Sequence, residues 1–257
     1  MKTISVINLK GGVGKTITAI NFAYILAEKH GRRVLLVDND KQGNSSKFFN
    51  LHSYDAPSIA DVLTIKGYQI TDAIQNTQYE GLDILPANMN LLTANKQILM
   101  DMSWMQQTRL KNALEQVAGE YDYCIIDNAP DLNMSVINAL VACDDVIIPI
   151  KVDRFAFDGL AQLIEQINDM KDHNPGIRVA GCIITMYDRT CVNVQGEKQL
   201  KGLEWVPVFP TVIRKTTTVD QTTFAGRPLL DYAPDSTATI DYIAVVDEYL
   251  KGAAARK

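Results

Sequence analysis

The sequence predicts a doubly wound α/β fold, a mostly parallel sheet with helices on both faces, and three observations predict it. Strand-like apolar runs alternate with helix-like stretches along the chain, the order in which such sheets are wound. Two of the runs, Arg33–Asp38 and Tyr121–Asp127, end in an acid, and the carboxyl ends of parallel strands are where these folds bind ligands. The first run, Ile4–Ile7, opens into a glycine-rich turn and then a helix through Thr18–Ala23.

That turn is Asn8-Leu9-Lys10-Gly11-Gly12-Val13-Gly14-Lys15-Thr16. A strand, a glycine turn and a helix in that order aim backbone N–H groups and a helix N-terminus at one spot, which suits a polyphosphate. Lys15 supplies a point charge for β- and γ-phosphates and the Thr16 hydroxyl can hold Mg²⁺. The strict phosphate-loop pattern wants glycine where Leu9 stands and asks for no lysine at position 10. The run Lys10-Gly-Gly-Val-Gly-Lys15-Thr16 resembles instead the deviant Walker A motif of the ParA/MinD group of ATPases. The resemblance implies a phosphate-loop NTPase fold, ATP and Mg²⁺ as cofactors, and nucleotide contacts from Gly11, Gly12, Val13, Gly14, Lys15, Thr16 and Ile17. It also implies that Lys10 reaches the phosphates bound by a partner subunit, so that Lys10 and Lys15 both serve catalysis.

The chain has 257 residues, 47% apolar and 21% charged, with a net charge of -5. One domain over residues 1–257 is expected, with a core large enough to need no staple. The acidic balance argues against a wholesale nucleic-acid coat and leaves room for a local basic patch. Cys124, Cys143, Cys182 and Cys191 lack the close pairs of zinc sites, as do His30, His52 and His173, so buried free thiols in a reducing cytoplasm are expected. No signal peptide is expected, since the chain enters a strand almost at once, and no apolar stretch approaches the roughly 20 residues of a membrane helix.

Taken in order, His30-Gly31 closes the first helix and the strand Arg33–Asp38 delivers Asp38-Asn39-Asp40-Lys41-Gln42-Gly43-Asn44. This looks like the second signature of ParA proteins, and on that match Asp40 orients the attacking water while Asp38 supports the Mg²⁺ shell. Lys41 stands where most such sequences carry proline, either pairing with Asp40 or, as expected here, facing solvent. Residues 45–80 read poorly, with short helical hints at Ser58–Leu63 and Ile70–Ile74. A strand follows at Leu82–Pro86, then a largely helical stretch, Leu91–Ala118, with Met100, Met102, Trp104 and Met105 near a break. Those methionines are expected to fill a core gap, a partner-protein surface being the alternative.

Tyr121–Asp127 matches Walker B, so Asp127 would hold a water of the Mg²⁺ shell. The next residues, Asn128-Ala129-Pro130, keep only the last proline of the family's Asp-x-Pro-Pro. Resemblance resumes at Ile137–Ala142, in the strand Asp145–Ile150 and at Phe157–Leu160. A helix from Leu160 to Met170 then leads to the strand Val179–Ile184. By resemblance, Met186 after that strand and Pro210 in a later turn lie against adenine. Arg189, Arg214, Lys215 and Arg227 are carried over as the basic residues that grip DNA, since phosphate contacts need positive charge and no base recognition. Thr239–Leu250 reads as an acidic amphipathic helix, with a short tail Lys251–Lys257.

The family likeness implies an ATP-bound homodimer that binds double-stranded DNA nonspecifically. It partitions or positions a plasmid or chromosome region, and a ParB-type adaptor stimulates its otherwise weak hydrolysis. The expected location is cytoplasmic, on the nucleoid. No domain ahead of residue 1 is expected, hence no autorepressor of the larger plasmid class. The alternative is a MinD-like membrane-associated positioning ATPase, which would need a basic amphipathic C-terminal helix. Asp241, Asp247 and Glu248 and the small Gly252–Ala255 tail speak against it. An iron-cluster reductase would need cysteines placed to bridge two subunits.

Overall fold

The computed structural model describes residues 1–153 and 156–254. In chain order these form β1 (Lys2–Val6), α1 (Lys15–Glu28), β2 (Val34–Asn39), α2 (Asn44–Phe48), α3 (Ile59–Thr64), β3 (Gln75–Asn76), β4 (Leu82–Leu85), α4 (Asn90–Met100) and α5 (Arg109–Glu115). There follow β5 (Tyr123–Asn128), α6 (Met134–Ala142), β6 (Asp145–Ile150), α7 (Ala156–Asp169), β7 (Arg178–Ile184), α8 (Cys191–Lys201), α9 (Thr217–Ala225), α10 (Leu229–Tyr232) and α11 (Thr237–Ala254). The strands form one sheet in the order β3-β4-β2-β5-β1-β6-β7. Its pairings are parallel except for β3 with β4. The doubly wound architecture is therefore present.

Side chains alternate across a strand, so continuous apolar runs mean that both faces are covered. Ile4, Val6, Leu36, Ile125, Ile147 and Ile183 pack on one face with α1 and α11. Leu35, Val37, Cys124 and Ile126 point the other way, toward α3 to α6, and Val146 and Ile148 toward α7. α1 is buried along Thr18–Ala27 because the sheet lies under it and α11 packs against it on the same face. Phe22 meets Tyr249 of α11 edge to face, 5.5 Å between ring centroids.

The amino edge of the sheet is closed by one acid. Asp145, fully buried, accepts from Arg178 through both Nε and Nη2 and from Tyr249 Oη at 2.7 Å, with Lys2 Nζ at 3.3 Å. Burial alone would raise its pKa, but these bonds and charges outweigh it and the carboxyl sits below its ordinary range.

Several elements escaped sequence reading, among them α2, β3, α8, α9 and α10. α2 is only five residues and β3 only two, each shorter than the period that would reveal it. The methionines near the break after α4 do not fill a core gap. Met100, Met102 and Met105 are exposed by 84%, 87% and 64%, because the space beneath is already occupied. Arg109, only 1% exposed, lies over the Trp104 ring at 4.1 Å and bonds Leu63 O and Asp101 Oδ2, both at 3.0 Å. Asp101 also takes Ser103 N and Trp104 Nε1. The loop is fastened from within and its thioethers face outward. Cys191 is likewise exposed, whereas the other three cysteines are buried and free. The last helix runs on to Ala254, through most of the expected tail, and Ala255–Lys257 lie outside the described residues.

Candidate nucleotide-binding site

The glycine turn joins β1 to α1 at the carboxyl edge of the sheet. Gly12 and Gly14 take left-handed backbone angles, φ 71° and 87°, which a side chain would strain. The turn is pinned on two sides. Asn8 donates to Pro149 O at 2.8 Å and accepts from Lys10 N at 2.9 Å, while Thr185 Oγ1 donates to Val13 O at 2.8 Å. Lys15 is buried, with Nζ on the Lys10 carbonyl at 3.0 Å. Burial lowers its pKa, and the charges of Asp127, Asp40 and Asp131 pull it back up.

Strand register sets Val6, Asp127 and Asp38 side by side on β1, β5 and β2. Asp127 Oδ2 accepts from Ser45 Oγ at 2.8 Å, whereas its buried Oδ1 has no hydrogen-bond partner among the described residues. Burial pushes the Asp127 carboxyl above its ordinary range, against the pull of Ser45, Thr16 and Lys15. Asp38 is pushed up by burial and then by Asp127. Its oxygens are committed, Oδ2 to Ser46 N and Oγ at 2.8 and 2.7 Å and Oδ1 to Asp40 N at 3.2 Å. Asp38 thus holds the Asp40 loop and the start of α2, rather than presenting a free oxygen.

Asp40 Oδ1 accepts from Gln42 N at 2.9 Å, and its carbonyl accepts from Gly43 N at 2.8 Å. Gly43 has φ 63°, and a Cβ there would come within 2.6 Å of Ala87 O, so the loop admits only glycine at its exit into α2. Lys41 departs from expectation. It is half-buried, and its Nζ lies 3.6 Å from Asp131 Oδ2 instead of in open solvent. Lys10 Nζ is bonded to Asp153 beyond β6.

No group of three or more His, Cys, Asp or Glu among the described residues could hold a metal alone. A cation here would be completed by phosphate and water oxygens, which is the habit of Mg²⁺. The orphaned Asp127 Oδ1, the Thr16 hydroxyl beside that carboxylate and Lys15 fit such a group.

Next to the glycine turn lies a cavity of about 380 Å³ lined by Gly14, Ile17, Thr185, Met186, Ile213 and Tyr242, among others. Met186 sits there with φ 52°, a left-handed angle rare outside glycine. Tyr242 is fully buried and its Oη is 3.1 Å from Thr18 Oγ1. Pro210 is not in this lining. Its carbonyl accepts from Lys201 Nζ at 3.0 Å, and the chain reaches the cavity only three residues later, at Ile213.

The four basic residues carried over as a DNA grip are not equally available. Arg189 is exposed. Lys215 is 3.7 Å from Asp188. Arg214 is held by both oxygens of Asp241, with Nη2 to Oδ1 at 2.7 Å, and Arg227 Nε is bonded to Asp231 at 2.8 Å. The acids that hold Arg214 and Arg227, Asp241 and Asp231, follow both arginines in the chain. Sequence reading also missed Ser45 and Ser46, which fasten the two buried acids, and the buried bond from Asn39 Nδ2 to Asn128 Oδ1 at 2.8 Å.

Three comparisons agree with this geometry. A family described as an AAA domain matches residues 1–179. The sporulation initiation inhibitor protein Soj of Bacillus subtilis is 35% identical over 249 residues, covering 96% of this chain and 97% of Soj. The chromosome partitioning protein ParA of Caulobacter vibrioides is 33% identical over 255 residues, 97% of this chain and 94% of that protein. Among solved structures, cobyrinic acid a,c-diamide synthase from Mycobacterium smegmatis, with bound ATP analog and magnesium, is 30% identical with a TM-score of 0.85, covering 100% of this chain and 97% of that one.

Proposed function

This chain belongs to the ParA/MinD family of deviant Walker A ATPases, whose members partition or position cargo, and from that premise we propose that it is an ATP-dependent dimerising switch on DNA. The observation that carries the nucleotide reading is the buried, unpartnered Asp127 Oδ1 beside Lys15 and the glycine turn. An unpaired acceptor costs stability in a folded chain and is retained where a ligand completes it. Bound with the triphosphate, Mg²⁺ supplies charge neutralisation and a fixed water shell. The chain's own residues do the rest. Lys15 and the turn's N–H groups hold the phosphates, Thr16 and Asp127 hold the cation directly or through water, and Asp40 orients the attacking water. Asp38 keeps the Asp40 loop in place, and Met186 lies against the base.

Lys10 is bonded outside its own cradle, which supports its use by a second subunit. A symmetric sandwich repeats each contact. Two charge-assisted bonds at about 1.5–3 kcal/mol each would tie pairing to the γ-phosphate by roughly 3–6 kcal/mol before desolvation. The DNA surface then rests chiefly on Arg189 and Lys215, with Arg214 and Arg227 as structural cations unless their acids are released. Hydrolysis prompted by a ParB-type adaptor would end the grip and move or space a plasmid or chromosome region. No helix among the described residues is long and apolar enough to cross a membrane. α11 buries Tyr242, Val245, Val246 and Tyr249, which favours the nucleoid over MinD-like attachment through this helix.

The test is DNA binding with ATP, ADP and no nucleotide at two salt concentrations. A counterion-release slope that appears only with ATP is the expected result. DNA affinity indifferent to nucleotide would overturn the switch.

A further inference from the structure

Lys15 feels three acids in its surroundings, Asp127, Asp40 and Asp131. The proposed function gives the first two a task. Asp131 has none, and it adds negative charge close to where a triphosphate would lie. It is also held in place. Its Oδ1 accepts from Asn133 Nδ2 at 2.8 Å, and Asn133 is itself fixed as the N-cap of α6, accepting from Val136 N at 3.0 Å. The other oxygen, Oδ2, faces Lys41 Nζ at 3.6 Å.

The two residues come from the two loops that leave β2 and β5, and the same loops are joined beneath by the buried Asn39–Asn128 bond. Both loops depart from the family pattern, with Lys41 in place of proline and Asn128-Ala129-Pro130 in place of x-Pro-Pro. We propose that Lys41 is a charge screen for the nucleotide site, cancelling Asp131 so that this carboxylate does not repel the phosphates. Lys41 and Asp131 are positioning residues on this account, and neither touches the nucleotide.

The physics sets the size. Both side chains are partly exposed, 32% and 47%, so water attenuates the interaction and an uncancelled charge several ångströms away weakens binding by about fivefold. The effect grows with ligand charge and is larger for ATP than for ADP. It shrinks at high salt.

The inference rests on the nucleotide reading, and the experiment separates the two. Affinity for fluorescent ATP and ADP analogues with Mg²⁺ is measured for the unaltered chain, Lys41→Gln, Asp131→Asn, the double variant and Lys15→Ala, at about 50 and 500 mM salt. Melting of each ligand-free protein is followed alongside. The screen predicts that Lys41→Gln weakens ATP binding about fivefold at low salt and that adding Asp131→Asn restores it, with melting unchanged in all. A double variant as weak as Lys41→Gln overturns the screen, since Lys41 would then meet the phosphates itself. Unaltered ATP affinity in Lys41→Gln overturns it too. If Lys41→Gln melts early, Asp131→Asn alone still decides, because the screen then requires ATP binding equal to or tighter than that of the unaltered chain. Lys15→Ala binding as well as the unaltered chain would sink the nucleotide reading as a whole.

Discussion

Asp127 and Asp145 are two fully buried acids on neighbouring parts of one sheet, and they are built in opposite ways. Asp145, at the amino edge, is met by a guanidinium, a phenol and an ammonium, and its pKa falls. Asp127, at the carboxyl edge, keeps one oxygen without a partner and its pKa rises. A saturated buried acid ties elements together, while an unsaturated one is an acceptor reserved for something absent from the chain. On the reading proposed above, the difference is one between architecture and site.

The comparison can be broken or sharpened by mutation. The largest effect is expected for Asp145→Ala, which strands Arg178 and Tyr249 and should cost about 3–5 kcal/mol in urea unfolding. Loss of less than about 1 kcal/mol would mean that the amino edge does not depend on this acid. Next comes Lys15→Ala, expected to weaken nucleotide binding roughly 100-fold, the loss of about 3 kcal/mol of charged hydrogen bonding, by calorimetric titration. Asp127→Asn should do the reverse of Asp145→Ala in ligand-free protein. Removing a buried charge that lacks a full set of partners should raise stability by about 1 kcal/mol while abolishing the extra gain from Mg²⁺ with nucleotide.

The pH dependence gives the same contrast with opposite signs. Asp145 has its folded pKa below the ordinary 3.8, so its contribution is present above that value and is lost as pH falls through the folded pKa. Asp127 has its folded pKa above 3.8. The unfolded chain then gives up its proton first, and ligand-free stability declines as pH rises from about 4 through the folded value. Denaturant unfolding across pH 3–8 should show a smaller acid-side fall in Asp145→Asn and a smaller neutral-side decline in Asp127→Asn, the remainder of the latter belonging to Asp38, which burial also pushes up. The smallest effect is expected for Met102→Ser, within about 0.5 kcal/mol, because this thioether is exposed and has only a weak contact with Gln106 Nε2 at 4.0 Å.

The fold and the phosphate cradle were legible for one reason. Their information is contiguous, Lys10 to Thr16 in one turn, and apolar runs that end in Asp38 and Asp127. Partners far away in sequence were not legible. Arg214 looked like a free cation until Asp241, 27 residues on, was brought to it. Arg227 has its acid only four residues away, Asp231 on the next helix. The methionines misled in the opposite direction. A lone arginine after a methionine cluster gave no hint that the cation would be buried and the thioethers left in water, because only tertiary packing supplies Leu63 O and the Trp104 ring. Ser45 and Ser46 were missed because serine is common in loops, and only the folded loop puts them on the two acids.

The last helix touches both edges. Its Asp241 fixes Arg214 and its Tyr242 floors the cavity beside Gly14. Two turns on, about 10 Å away, Glu248 takes Thr211 Oγ1 at 2.6 Å and Tyr249 bonds Asp145. The helix therefore works as a tie-rod, and slack at one end is felt at the other. Deletions that reach back to Tyr249 would loosen the base cavity without altering any residue that lines it.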